Sequence, residues 1–407
     1  MSPKVFLKPG KEKPIRSRHP WIFSGALAKI DGAKDGETVG IYTAQGEFLA
    51  RGCYNSHSQI AVRIWTWQDE PIDRAFFLRR IEQAIAMRAR LELRFHQGNS
   101  KTTAFRLINA ESDLLPGLIV DAYDIFLVVQ FLTLGMERQK QPIIGVLSEL
   151  LSPRGIYERS DVAVREKENL PQLKGLLWGE DPPPLVEILE NGFSFLVNLR
   201  QGHKSGFYLD QRENRQRTAN LLAPALIPCN NLDVLNAFSY TGAFGIYLAS
   251  LNPGIRVVNL DSSSETLSLA RENFTRNQLS AQAEYLEGDA FLLLRKFRDQ
   301  ARQFDLIVLD PPKFAYSQSQ LMQACRGYKD LNLLALKLLR PGGHLITFSC
   351  SSVVNPALFQ KVVFAAATDA GRHVQLIAKL GHPADHPILL SFPESEYLKG
   401  LLALVQT

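Results

Sequence analysis

Two apolar, β-prone runs, each ending on reactive side chains, constrain this chain more than any other feature. The first, residues 304–309, reads as a buried strand and leads straight into Asp310-Pro311-Pro312-Lys313-Phe314. The second, residues 344–348, reads the same way and ends on Ser349-Cys350-Ser351. A helical stretch closed by Pro341-Gly342-Gly343 separates them, so the unit is strand, helix, strand. In open α/β sheets ligands bind beyond the carboxyl ends of the strands. Asp310 and Cys350 are therefore expected at one crevice, a carboxylate beside a thiol.

The same alternation begins about seventy residues earlier. A strand over 233–236 leads into Asn236-Ala237-Phe238-Ser239-Tyr240-Thr241-Gly242, and a second over 256–260 ends on Asp261. Ser262-x-x-Glu265 reads as a capping box for the following helix. A third strand, 283–286, ends on Gly288-Asp289-Ala290. Repeated β-α units imply a parallel sheet covered on both faces. The first loop has a single glycine before its helix, which argues against a dinucleotide, whose pyrophosphate needs several. Asp261, about twenty residues beyond that loop, suits a ribose diol.

At 407 residues the chain is long enough for two or three domains. No apolar run approaches a membrane span and the N-terminus lacks a signal-peptide core, so a cytoplasmic protein is expected. Four scattered cysteines, Cys53, Cys229, Cys325 and Cys350, form no metal or disulfide pattern. The first three read as small buried hydrophobes. Cys350 differs because it stands at a strand end. Residues 1–110 hold eighteen Lys and Arg against ten Asp and Glu, whereas the remainder is slightly acidic. That imbalance suits a nucleic-acid grip, although the rival reading is a solvated face of mixed charge.

Short β-prone pieces between glycine and Asp turns fill residues 1–72 and suggest a small β-barrel. A helical linker is predicted over 73–103, beginning at Asp73. An α+β region follows over 104–200, with one helix near 135–151 and a hairpin turn at Glu190-Asn191-Gly192. The α/β body occupies 201–407.

The order of these motifs resembles the class I S-adenosylmethionine-dependent methyltransferases. The match is closer to the ribosomal RNA large-subunit methyltransferase I family, PUA-domain enzymes that make 5-methylcytosine in 23S ribosomal RNA. The segments that carry it include His19-Pro20-Trp21-Ile22-Phe23, Tyr157-Glu158-Arg159-Ser160-Asp161, Gly206-Phe207-Tyr208-Leu209-Asp210-Gln211-Arg212 and Phe392-Pro393-Glu394-x-Glu396-Tyr397-Leu398-Lys399-Gly400. The implied fold is α/β: a C-terminal Rossmann-like class I methyltransferase sheet, an N-terminal PUA-like RNA-binding barrel and a central α+β domain. The implied cofactor is S-adenosyl-L-methionine and the implied partner is large-subunit ribosomal RNA; a homodimer is compatible with it, and neither metal nor membrane is expected.

The resemblance also implies roles. Phe207, Asp210, Gln211 and Arg212, with Asn236, Phe238, Tyr240, Thr241 and Gly242, would hold the methionine part of the cofactor. Asp261, with Ser262 beside it, would bind the ribose, and Asp289, with Ala290, the adenine. Asp310 would line both cofactor and target pockets, and Cys350 would be the nucleophile. Many RNA cytosine methyltransferases carry a second cysteine directly after the Asp-x-Pro of the fourth motif. Lys313 stands there in this chain. Two other readings remain: methylation of an exocyclic base nitrogen, which needs no cysteine, and a non-catalytic RNA-binding assembly factor that keeps the fold.

Overall fold

The computed structural model describes residues 3–96, 98–226 and 231–406. Cys229 lies outside the described residues. Two compact units are formed. The first comprises Met1–Gly192, Val197–Leu209 and Ala384–Ser395; the second comprises Phe193–Leu196, Asp210–Pro383 and Glu396–Thr407.

In the first unit, strands Trp21–Ile22, Val62–Thr66, Phe48–Tyr54, Thr38–Tyr42, Lys4–Leu7 and Leu27–Asp31 follow one another in a six-stranded sheet. Val5, Leu7, Val39, Ile41, Val62 and Ile64 fill its core, each inward by strand alternation. Helix Arg74–Arg90 starts where Asp73 accepts a hydrogen bond from the Phe76 N–H at 3.0 Å. Phe76, Phe77 and Ile81 on its buried face join a core with Cys53 and Trp65 of the six-stranded sheet. The same core takes in Phe105, Val120 and Val129 of a five-stranded sheet built from Leu173–Gly179, Gly155–Ser160, Phe126–Phe131, Leu118–Tyr123 and Ala104–Asn109.

One predicted helix is two. Leu134–Arg138 and Lys140–Leu151 are separated at Gln139, whose φ of −97° and ψ of 10° leave the helical region. Asn191 and Gly192 both take positive φ, as the hairpin turn expected there requires.

The second unit carries a seven-stranded sheet. Its strands are β1 (Leu232–Ala237), β2 (Ile255–Asp261), β3 (Ala283–Glu287), β4 (Phe304–Leu309), β5 (Leu339–Ser349), β6 (Val374–Leu380) and β7 (Lys399–Val405). The helices are α1 (Arg212–Leu226), α2 (Ala243–Ala249), α3 (Ser264–Arg276), α4 (Ala290–Asp299), α5 (Leu321–Leu338) and α6 (Pro356–Ala370). Spatial order is β3-β2-β1-β4-β5-β7-β6. β1 pairs in parallel with β2 and β4, and β4 in parallel with β5. β7 enters antiparallel between β5 and β6.

The sequence makes this sheet central because β1, β2 and β4 are apolar on both faces, with helices available to cover each. Leu235, Leu260, Ile307 and Leu345 of the sheet pack with Leu294 of α4 and Leu331 of α5, all fully buried. Each such side chain contributes roughly 1.5–3 kcal/mol of transfer free energy. The parallel register brings the ends of β1, β2, β4 and β5 to one edge.

The α3 cap differs from the expected one. Ser263, not Ser262, is the N-cap, its hydroxyl accepting from the Thr266 N–H at 3.3 Å. The physical reason is Asp261, whose Oδ1 accepts from the Ser263 N–H at 3.2 Å and the Thr266 hydroxyl at 3.3 Å. These bonds hold the chain extended one residue further, and Ser262 is left exposed.

Candidate functional site at the carboxyl ends of the sheet

The loop after β1 is conformationally unusual. Phe238 and Tyr240 have φ of 59° and 48°, and Gly242 has φ of 82°. Glycine tolerates that region; for bulky side chains it costs of order 1–3 kcal/mol each and persists only where surroundings enforce it. Asp261 at the end of β2 supplies part of the enforcement, its Oδ2 accepting from the Tyr240 N–H at 2.8 Å. Gly242 is required twice over, since a Cβ there would also lie 3.0 Å from the Phe274 ring. Strained backbone at the mouth of a parallel sheet is characteristic of a ligand site.

Around this loop, Asn236 is buried and its Nδ2 donates to Asn259 Oδ1 at 2.9 Å. Thr241 and Ser239 are buried, and their hydroxyl oxygens have no hydrogen-bond partner among the described residues. Asp289 is exposed and caps α4, accepting from the Leu292 N–H at 2.9 Å; Ala290 beside it is buried.

At β4 and β5 the chain ends meet. Asp310 Oδ2 accepts from Gln211 Nε2 at 3.0 Å, and Gln211 Oε1 accepts from Asn214 Nδ2 at 2.6 Å. The Cys350 thiol lies 3.9 Å from the Pro311 carbonyl oxygen. The two predicted chemical groups thus stand on adjacent strand ends, joined through one loop. Lys313 extends over the Tyr316 ring, 5.1 Å from its centroid, and Tyr316 is 70% exposed. Phe314 is instead packed at 4.6 Å on the Tyr328 ring, so it builds the loop from inside.

Several residues at this edge have contacts that the sequence motifs containing them did not indicate. Ser351 Oγ accepts from the Phe314 and Ala315 N–H groups at 3.1 and 3.3 Å and lies 3.0 Å from the Tyr328 hydroxyl. One hydroxyl therefore clamps the loop after β4 to the end of β5. Burial raises the Tyr328 phenol above its ordinary value, which keeps it a neutral partner in that cluster. Lys399, the first residue of β7, is 5% exposed and donates to the Ser351 and Tyr397 carbonyls at 2.7 and 2.8 Å. The Tyr397 hydroxyl donates to Asp210 Oδ2 at 2.8 Å. The one available signal was the run Glu396-Tyr397-Leu398-Lys399, where charged and aromatic residues precede a buried strand.

Arg212 is buried at the start of α1. Phe207 belongs to the first unit, where it is buried and its N–H donates to the Tyr123 hydroxyl at 3.2 Å. Cys53, also in the first unit, is 6% exposed, and burial pushes its thiol up to about 12, an unreactive state at neutral pH. Cys325 is partly exposed. No cluster of three or more His, Cys, Asp or Glu among the described residues is arranged to hold a metal.

A seven-stranded sheet in this order, with only its seventh strand reversed and acidic residues at the ends of β2 and β4, defines a methyltransferase-type α/β unit. Family models agree: S-adenosylmethionine-dependent methyltransferase matches residues 171–405 and PUA-like domain matches residues 5–67. S-adenosylmethionine is thus the cofactor. A Klebsiella pneumoniae (strain 342) protein named Ribosomal RNA large subunit methyltransferase I is 48% identical over 407 residues, covering 99% of this chain and 98% of its own. A Yersinia pestis bv. Antiqua (strain Angola) protein of the same name is 46% identical, with 100% of both chains covered. The chain belongs to the ribosomal RNA large subunit methyltransferase I family. Among solved structures, a Streptococcus mutans protein assigned to the SAM-dependent methyltransferases aligns over 100% of both chains with a TM-score of 0.84. At 22% identity that likeness shows the fold alone.

Proposed function

We propose that this protein methylates carbon 5 of a cytosine in large-subunit ribosomal RNA, with Cys350 as the covalent nucleophile. The observation that carries the reading is the Cys350 thiol at the end of β5, against the loop that presents Asp310. The curated relatives' name supplies the RNA class.

When bound, S-adenosylmethionine would supply an electrophilic methyl group on a sulfonium. Carbon 5 of cytosine is too weak a nucleophile to take it unaided. A Cys350 thiolate adding to carbon 6 would make carbon 5 enamine-like and able to take the methyl group that the cofactor would give up with loss of its sulfonium charge. Loss of the carbon 5 proton to a base lets the electrons of that C–H bond reform the ring double bond while the C–S bond electrons return to sulfur. Asp310, oriented by Gln211, would hydrogen-bond the ring nitrogen or amine and stabilise the adduct. Lys313 would polarise the base or pair with a phosphate. The target must first be unstacked, because its reacting atoms are shielded in a duplex.

For the cofactor, the proposed holders are Asp261 for the ribose, Asp289 with Ala290 for the adenine, and the loop Asn236 to Gly242 with Asp210, Gln211 and Arg212 for the methionine part. The orphaned Ser239 and Thr241 hydroxyls and the forced left-handed backbone fit a polar ligand there. The barrel over 1–72 would grip RNA, the segment 73–103 with its helix Arg74–Arg90 would link it to the α+β region 104–200, and residues 201–407 would perform the transfer. No helix among the described residues is long and apolar enough to cross a membrane.

Cys350→Ala is expected to keep cofactor and RNA binding and to abolish methyl transfer. With 5-fluorocytosine at the target, the unmodified protein should be trapped as a covalent adduct and the variant should not. Full methylation by Cys350→Ala would move the assignment to base-nitrogen chemistry, which Asp310 and the two prolines could serve alone.

A further inference from the structure

We infer that Lys399 is the positioning residue that sets the ionisation of Cys350, its ammonium, held between two backbone carbonyls at the end of β7, favouring the thiolate beside it. The inference rests on Cys350 being the attacking thiol. A free cysteine is only a few per cent thiolate at neutral pH, so something at the site must stabilise the anion.

Register places the lysine. β5 and β7 are antiparallel with Ser349 opposite Lys399, so the last residue before Cys350 faces the first residue of β7. The Nζ is then anchored by the Ser351 carbonyl at 2.7 Å and the Tyr397 carbonyl at 2.8 Å. Ser351 follows Cys350 directly, so the ammonium is tied to the backbone one residue from the thiol. A lysine in a strand, 5% exposed and paired with no carboxylate in either hydrogen bond, is costly to bury. Two carbonyls offset part of that cost, and an adjacent thiolate would offset more.

The charged and titratable groups that act on Lys399 include Cys350, Glu396 and Lys313. Burial lowers the Lys399 ammonium to about 8, Cys350 and Glu396 oppose that shift, and Lys313 adds to it. The mutual effect of Cys350 and Lys399 is reciprocal: a thiolate that favours the ammonium is favoured by it to the same degree. Tyr328, raised by burial and also coupled to Cys350, is neutral across the working range. Asp310, held by Gln211, stands on the same loop as Lys313. Below about 8 the lysine is charged and supports the thiolate; above it the support fades.

The test is the pH dependence of Cys350 alkylation by iodoacetamide on the full chain without RNA, followed on the Cys350 peptide by mass spectrometry. Lys399→Met and Lys399→Gln are expected to slow alkylation at neutral pH on the order of tenfold and move the inflection upward by about a unit. Lys399→Arg should follow the parent profile below about 8 and keep the support above it, because a guanidinium stays charged. Thermal unfolding and S-adenosylmethionine binding identify folded variants, and Lys399→Gln, which still donates to the carbonyls, serves if Lys399→Met does not fold. An unchanged profile in a folded neutral variant, or a profile moved by Lys313→Met and not by Lys399 variants, overturns the inference. A shifted profile without 5-fluorocytosine trapping would leave Lys399 as the thiol's partner and remove cytosine-carbon chemistry, so the two failures are distinct.

Discussion

Asp261 serves two ends at once. One carboxylate oxygen holds the Tyr240 N–H and the other the Ser263 N–H, so the side chain is oriented by the backbone it supports. The Thr266 hydroxyl donates to that second oxygen as well, which leaves about one of the carboxylate's four acceptor sites for a ligand. Asp261→Ala should weaken S-adenosylmethionine binding by roughly 1.5–3 kcal/mol, the range for a hydrogen bond to a charged group. Asp261→Asn retains an acceptor for Tyr240 and should lose less. Calorimetric titration separates these outcomes, and unchanged affinity in folded Asp261→Ala would take the residue out of the site.

At the scale of elements, the junction of β4 and β5 depends on Ser351. Its hydroxyl oxygen is buried and receives two backbone N–H groups of the loop after β4, with the Tyr328 hydroxyl as third neighbour. Ser351→Ala leaves those donors without their acceptor, a cost of roughly 1–3 kcal/mol for buried groups. Denaturant unfolding should register that loss, and amide exchange at Phe314 and Ala315 should accelerate more than exchange in β4. Equal protection in parent and variant would show that the loop is held by something else. Methyl transfer should fall as well, because the same loop carries Asp310 and faces Cys350.

At the scale of the molecule, the excess positive charge of the N-terminal part is smaller at its surface than the residue count implies. Arg63 pairs with Glu111 at 2.9 Å and Glu168 at 3.1 Å, and the fully buried Arg88 with Asp113 at 2.7 Å, all acids from beyond residue 110. These arginines hold the first unit together. Lys11, Lys13 and Lys34 remain exposed and are the residues expected to meet phosphates. Replacing all three with Glu should weaken RNA binding and lower the slope of log affinity against log salt by about 0.7–0.9 for each phosphate no longer neutralised. Filter binding across a salt series measures this; an unaltered slope would place the RNA grip elsewhere. Substitution is the sounder probe than deletion of residues 1–72, because Cys53 and Trp65 share a core with Phe76 and Phe77.

By itself the sequence determined the alternation of strands and helices, the acidic strand ends and the positions of Asp310 and Cys350, because those follow from local apolar runs and from what stops them. It also carried the family resemblance through motifs spread over nearly the whole chain. Only the tertiary structure decided which distant groups surround them. The two left-handed aromatic residues before Gly242, the Ser351 clamp and the placement of Lys399 depend on loop closure and on an antiparallel pairing between strands some fifty residues apart. Periodicity records which face of a strand is buried. Which neighbour a strand end meets is set by register, and register is decided when the sheet assembles.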